Sequence, residues 1–284
     1  MKILIIGAGF LGTSLKKSLS KEHEVAIATL NPKEKDLLKL DATNQKDVEE
    51  IFERVKPEVV IHTVSLTSSI ACEKNPELAK NLIFETTKNV AMACQKFNSK
   101  MLFISSSYLF DGKNGQYSEE EKTNSTLVYS KNKIMAEKEV LKISKSVIIR
   151  VDIMYGYNGK NEKNSFLDSI LKESEIFIGN PNQIRSPVLL EDVGQSILKL
   201  IEKDSAGIFN IVGDEKLKHL DLFKELSEGL GKNPKITLLE EKDLLVKPLK
   251  NSSLNNSKIK SLDVKFHTLN EGIKLIKGQL INSS

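Results

Sequence analysis

Gly7-Ala8-Gly9-Phe10-Leu11-Gly12 is a G-x-G-x-x-G run placed directly after Ile3-Leu4-Ile5-Ile6 and followed by leucines at 11, 15 and 19. The unbroken apolar run predicts a strand buried on both faces. The four-residue leucine spacing predicts a helix. Between them the first glycine permits a tight turn, the second lets a pyrophosphate approach the backbone, and the third lets helix pack on strand. The helix N-terminus adds N–H groups and a partial positive charge. Gly7, Gly9, Phe10, Leu11 and Gly12 are therefore candidate dinucleotide-binding residues.

Outward from this loop, strands and helices alternate. Val25–Ala28 reads as a strand, and Val48, Ile51, Phe52 and Val55 mark a helix ended by Pro57. Val59–Ile61 is a third strand, and Pro76 can open a long helix running to about Cys94. Met101–Ile104 and Val147–Val151 are strands flanking a helix from Leu127 to about Ile143. This rhythm predicts an α/β chain: a Rossmann-type, doubly wound parallel sheet with right-handed crossovers. From Tyr157 to Pro187 the chain is rich in Asn, Gly and Lys and breaks the rhythm, which returns once, at Glu191–Lys203 and Gly207–Val212. In the tail, Leu222, Phe223, Leu226 and Leu230 share a stripe. The expected division is a dinucleotide-binding domain of residues 1–156 with 189–212, and a smaller C-terminal substrate-binding domain of 157–188 with 213–284.

Composition excludes several classes. The 284 residues carry 42 Lys+Arg against 38 Asp+Glu, a net charge of +4, with arginine only at Arg54, Arg150 and Arg185. No basic face interleaved with aromatics appears, so no nucleic-acid partner is expected. No apolar run approaches the roughly 18 residues of a membrane span. Met1–Leu15 imitates a secretory signal, but Gly7, Gly9 and Gly12 interrupt it and Lys16 and Lys17 follow without an A-x-A site. Cys72 and Cys94 lack disulfide-scaffold or metal-ligand spacing, so no metal is expected and the default compartment is the reducing cytoplasm.

Two further stretches carry chemistry. In Thr29-Leu30-Asn31-Pro32-Lys33 no acid stands where NAD sites place one for the ribose, and Lys33 and Lys35 follow. That favours a ribose 2′-phosphate, hence NADP(H), with NAD(H) left open and Asn31 and Lys33 as candidates. Tyr129 and Lys133 are four apart, on one helical stripe with Ala136 and Val140. A lysine charge about 4 Å from a phenol, at an effective dielectric near 20, contributes on the order of 4 kcal/mol, or about 3 pK units. Tyr129 is thus expected to be poised near neutral pH as a general acid–base. Ser105-Ser106-Ser107 ends the fourth strand, where hydroxyls face the ligand crevice.

These residues together resemble the dTDP-4-dehydrorhamnose reductase group of the extended short-chain dehydrogenase/reductases, over nearly the whole chain. Ser105 to Gly112 resembles the group's S-[ST]-D-Y-V-F-D-G, Tyr129 and Lys133 its Y-x-x-x-K, and Arg150 through Tyr155-Gly156 its R-x-x-x-x-Y-G. Lys247 to Leu254, with Lys258, is similar to its R-P-x-N-S-x-L and following lysine. The resemblance implies Ser106, Tyr129 and Lys133 as the catalytic trio, with Tyr129 protonating an alkoxide that Ser106 holds, and Lys133 also on the cofactor ribose. It implies Asp41, Ala42 and Val64 beside the cofactor, and Thr67, Ser107 and Tyr108 beside a 4-keto-6-deoxy sugar nucleotide; Arg185, one of only three arginines, offers the planar fork that suits its diphosphate. A homodimer is left open.

The chain also departs from that pattern. Ser107 replaces the group's Asp, His62-Thr63-Val64 replaces its N-A-A, Ile70 stands at an Asp position of a segment that otherwise fits through Thr67, Cys72 and Glu73, and Ile83 stands at an Asn position before Asn89. Gln183-Ile184-Arg185-Ser186-Pro187 is similar instead to the regulatory subunit of methionine adenosyltransferase, which implies an alternative: an NADP-binding subunit with little catalysis. No Asp-Glu pair follows Ser106, which lowers a dehydratase reading.

Overall fold

The computed structural model describes residues 1–159 and 165–282, so residues 160–164 of the expected irregular stretch lie outside the described residues. The first half alternates as the apolar pattern requires: β1 (Lys2–Ile6), α1 (Phe10–Leu19), β2 (Glu24–Thr29), β3 (Leu38–Lys39), α2 (Gln45–Val55), β4 (Val59–His62), α3 (Ser69–Lys74), α4 (Pro76–Ala79), α5 (Thr86–Phe97) and β5 (Lys100–Ser106). The core continues through α6 (Val128–Val140) and β6 (Val147–Val151). Short elements follow: β7 (Met154–Tyr155), α7 (Ser165–Leu171), β8 (Ile176–Ile178), β9 (Ile184–Arg185) and β10 (Val188–Leu189). Then come α8 (Leu190–Glu202), β11 (Gly207–Asn210), β12 (Leu217–Lys218), α9 (His219–Gly229), β13 (Ile236–Leu238), α10 (Ser257–Lys260) and α11 (Leu269–Asn282).

Seven strands form one parallel sheet in the order β11-β6-β5-β4-β1-β2-β3. β1 to β3 run outward one way, and the chain then crosses to β4 on the other side of β1. The order reverses between β1 and β4, which opens a crevice at the carboxyl ends of the strands. Both faces are covered, as a parallel sheet demands. On one face Leu11, Leu15 and Leu19 of α1 and Val193, Ile197 and Leu200 of α8 pack on Ile3, Ile5 and Leu102. On the other, Val48, Ile51 and Phe52 of α2 join Val90 and Cys94 of α5 and Ala136 and Val140 of α6 over Leu4, Val60 and Phe103.

The smaller C-terminal lobe has its own cluster, with Leu222, Phe223 and Leu226 of α9 against Leu167, Ile170, Ile176, Ile178 and Ile273. Ile259 and Val264 return to the α1/α8 face of the main sheet, where α10 lies on β11 and the Lys258 Nζ stands 4.7 Å from the Phe209 ring centre. Along the outer side of β11, the Asn210 N–H donates to Glu119 Oε1 at 2.9 Å, and its Nδ2 donates to the carbonyls of Tyr117 and Asn255.

The long helix expected from Pro76 to about Cys94 is helical throughout, but residues Lys80–Glu85 form a π-turn between α4 and α5. The next two residues show why. Thr86 Oγ1 donates to the Leu82 carbonyl at 3.0 Å and Thr87 Oγ1 to that of Ile83 at 2.6 Å, so side-chain hydroxyls compete for the ladder's acceptors. Lys80 and Glu85, five apart, then meet at 3.4 Å.

Candidate active site

The glycine loop is built by close approach. Gly7 has φ +114°, and a Cβ there would lie 2.4 Å from Thr63 Oγ1. A Cβ on Gly12 would lie 1.9 Å from the Gly7 carbonyl oxygen, so helix and strand meet only through glycine. A Cβ on Gly9 would meet nothing within 4 Å, so the space over the second glycine is open. No side chain caps α1, and no acid stands in its first turn. That arrangement fits a pyrophosphate at the helix N-terminus. Gly12→Ala is expected to cost about 1–3 kcal/mol through overpacking. Thermal unfolding monitored by circular dichroism, with and without NADP, checks it.

Two adjoining clefts open from this loop. One, of about 810 Å³, is lined by Gly9, Phe10, Asn31, Lys33 and Leu37. Lys16 and Lys17 line it too but are engaged, Lys16 with Asp36 and Lys17 with the Asn158 carbonyl and, at 2.9 Å, its Oδ1. Asn158 Nδ2 in turn donates to the Phe10 carbonyl at 3.0 Å and Thr13 Oγ1 at 2.8 Å, tying the chain after β7 to the start of α1. The second cleft, of about 920 Å³, brings Gly9, Phe10 and Leu11 together with Thr67, Ser106, Ser107, Tyr108, Tyr129, Lys133 and Arg185. Phe166, Glu175 and Phe177 line it too.

Five expected cofactor residues stand outside the lining of these clefts: Gly7 and Gly12, which shape the turn beneath them, and Asp41, Ala42 and Val64. Asp41 spends a carboxylate oxygen on its own turn, accepting from the Thr43 N–H at 3.0 Å and hydroxyl at 2.7 Å. The Ala42 carbonyl accepts from Asn89 Nδ2 at 3.1 Å. Val64 lies against Gly7, where it backs the loop.

Tyr129 and Lys133 both point inward, as the stripe implied, and are 8% and 2% exposed, Tyr129 packing with Cys72, Ala79 and Ile83 and Lys133 reaching β5. Their electrostatics differ from expectation. Burial pushes the Tyr129 phenol up to about 12, with the Ser106 hydroxyl pulling the other way. Burial pushes the Lys133 ammonium down to about 7, opposed by the carboxylate of Glu137. The expected lowering of the phenol by the lysine charge is therefore corrected: desolvation disfavours the charged form of both groups and sets the direction of both shifts. Lys133 Nζ instead donates to the Ile104 carbonyl at 2.7 Å and stands 4.6 Å from the Phe103 ring centre.

Residues 1–279 match the family described as the RmlD substrate binding domain. The chain belongs to that family. It is 31% identical over 209 residues to the dTDP-4-dehydrorhamnose reductase of Aggregatibacter actinomycetemcomitans, covering 72% of this chain and 69% of that one. It is 26% identical over 244 residues to methionine adenosyltransferase 2 subunit beta of Bos taurus, covering 81% of this chain and 72% of that one. Among solved structures, the dTDP-4-dehydrorhamnose reductase of Bacillus anthracis in complex with NADP superposes with a TM-score of 0.85 at 23% identity, covering 98% of this chain and all of that one.

Sequence reasoning missed several residues that hold this RmlD-family site together. Asp152, with a fully buried side chain, accepts from Ser107 Oγ at 2.8 Å, so Ser107 is turned onto a carboxylate rather than offering its proton to the cleft. Tyr108, expected at the substrate, has its hydroxyl 3.3 Å from both Gln183 Nε2 and Arg185 Nη1. Glu73 accepts the Val128 N–H at 2.7 Å and so caps the helix that carries Tyr129. Glu137, one turn beyond Lys133, holds buried Arg150 through Nε at 3.0 Å and Nη2 at 2.8 Å. The i, i+4 continuation Tyr129, Lys133, Glu137 was the available signal for that last one. Ile83 is buried inside the π-turn, whereas Ile70 is 45% exposed. Among the described residues no group of His, Cys, Asp and Glu could hold a metal ion, and no helix is long and apolar enough to cross a membrane.

Proposed function

We propose that this chain is an NADPH-dependent reductase of a 4-keto-6-deoxy sugar nucleotide. The observation that carries this reading is the meeting of Ser106, Tyr129 and Lys133 with the open side of the glycine loop in one cleft. Bound along the loop, the cofactor supplies a hydride to the keto carbon. Ser106 holds the carbonyl oxygen by a hydrogen bond, and Tyr129 gives that oxygen its proton. Tyr129 enters as an acid, because burial keeps its phenol protonated throughout the physiological range. Lys133, held between the Ile104 carbonyl and the Phe103 ring, is placed to favour the phenolate left behind. Residues 1–156 with 189–212 carry the cofactor in this reading, and 157–188 with 213–284 the sugar nucleotide. The likeness to the reductases at 31% identity supports the substrate class. NADPH oxidation on addition of dTDP-4-keto-6-deoxyhexose tests it, and no turnover by folded, cofactor-binding protein defeats it.

Selectivity for NADP rests on Lys33 and Asn31 in the outer cleft, where Glu34 is the opposing charge. Lys33→Ala is expected to weaken NADP about tenfold and leave NAD unchanged, the difference one exposed phosphate contact makes. Calorimetric titration with both nucleotides checks it.

The second reading is an NADP-loaded regulatory subunit, favoured by the 26% identity to methionine adenosyltransferase 2 subunit beta over 81% of this chain. Stable co-elution with a methionine adenosyltransferase catalytic subunit, together with no sugar reduction, would select it.

A further inference from the structure

Asp152 sits where three segments meet. Its Oδ1 accepts from Ser107 Oγ at 2.8 Å, from Arg185 Nε at 3.0 Å and from Arg185 Nη2 at 2.6 Å, and its Oδ2 accepts from the Ser186 N–H at 2.7 Å. Ser107 follows β5, Asp152 follows β6, and Arg185 and Ser186 belong to the small lobe. The carboxylate is fully buried and the guanidinium is 10% exposed, so this pair is shielded from solvent screening.

The bonds leave the guanidinium with one orientation. Its Nε/Nη2 edge is spent on Asp152, and its centre lies 5.2 Å from the Tyr108 ring centre. Nη1 donates to the Tyr108 hydroxyl at 3.3 Å, which leaves its second N–H on the side chain that lines the cleft. The charge of the arginine is cancelled by its partner while its remaining N–H donors stay directed.

We propose that Asp152 is a positioning residue that neutralises and aims Arg185, so that the cleft recognises an anionic nucleotide sugar through directed N–H donors rather than through net positive charge. A bare arginine would hold a diphosphate in many orientations, and an aimed, neutralised one in few. The aimed contact serves the geometry of reaction more than the strength of binding. The proposal rests on the reductase reading for its kinetic arm only.

Asp152→Asn keeps the shape, removes the cancelling charge and turns one oxygen acceptor into a donor. In NADPH-oxidation assays it is expected to lower kcat about 30-fold while KM does not rise, a loss confined to reactive geometry. Because the Ser107 hydroxyl and the Asp152 carboxylate are 2.8 Å apart, the exchange variant Ser107→Asp/Asp152→Ser carries the carboxylate from the other side of the same contact, and is expected to recover kcat to within about fivefold of the parent. A loss of Asp152→Asn that lies wholly in KM, kcat within twofold of the parent, or an exchange variant no better than Asp152→Asn overturns the proposal. Folding of each variant is followed by its thermal shift with NADP. The second arm needs no turnover: dTDP titrated calorimetrically is expected to bind Asp152→Asn about threefold more tightly than the parent at low salt, with a steeper salt dependence, because the unmasked guanidinium acts as a net cation. Weaker binding with an unchanged salt slope overturns the proposal. A parent that binds dTDP but reduces no sugar nucleotide overturns the reductase reading and leaves this arm to decide on Asp152.

Discussion

Tyr129→Phe is expected to lower kcat for sugar-nucleotide reduction about 1,000-fold, within the span attributed to one positioned general acid. The ring of Tyr129 packs with Cys72, Ala79 and Ile83, and phenylalanine preserves those contacts. Only the hydroxyl that faces Ser106 is lost. NADP should therefore bind the variant as it binds the parent, and thermal stability should move little. Steady-state kinetics alongside an NADP thermal-shift titration check both halves. Equal turnover would remove the phenol from the mechanism, whereas loss of NADP binding would mean the substitution had disturbed the cofactor groove.

Lys133→Met carries the second large effect, and it shows in stability as well as rate. The native ammonium titrates at about 7 and the unfolded one near its ordinary 10.5. Below pH 7 both states hold the proton, and the native fold bears the full cost of a buried charge. Between pH 7 and about 10 the unfolded chain binds a proton that the native chain lacks, so parent stability rises with pH, by up to about 1.4 kcal/mol per unit. Methionine fills similar volume without that proton. The parent's stability relative to the variant, measured by urea unfolding from pH 6 to 9.5, should rise with pH. A constant difference across that range would mean that Lys133 is not held in a low-dielectric site. The same variant is expected to lose about 100-fold in kcat, as the phenolate loses the N–H donors of the Lys133 side chain.

The glycine loop and six of the sheet's seven strands were legible because their signals are local, whereas the two-residue outer strand β3 carries no apolar run. An apolar run, a turn and a four-residue spacing lie within the first nineteen residues, and the other five strands repeat the apolar run. That the Ser105–Ser107 stretch and the Tyr129/Lys133 stripe share one crevice followed from strand-end and helix-face arithmetic, while Ser106 itself was singled out by the resemblance. What was not legible depends on distant partners or on burial. Asp152 draws its donors from 45 residues upstream and 33 downstream, and nothing in its neighbourhood announces them. The phenol was read in the wrong direction because spacing reveals a neighbouring charge, whereas the loss of water around both groups belongs to the folded chain. The π-turn was hidden because Thr86 and Thr87 are unremarkable in any helix until their hydroxyls take carbonyls of the preceding turn.

The occupied margin of β11 bears on self-association. An outermost strand usually leaves a row of backbone groups that can template pairing with another molecule. Here Glu119 has taken the Asn210 N–H, the Asn210 side-chain amide ties the strand to Tyr117 and Asn255, and α10 shields the adjoining face. During synthesis the strand emerges well before Asn255 and α10, so nascent chains pass through an interval in which this seam is unguarded, and shortening the carboxyl-terminal segment would make that vulnerability permanent.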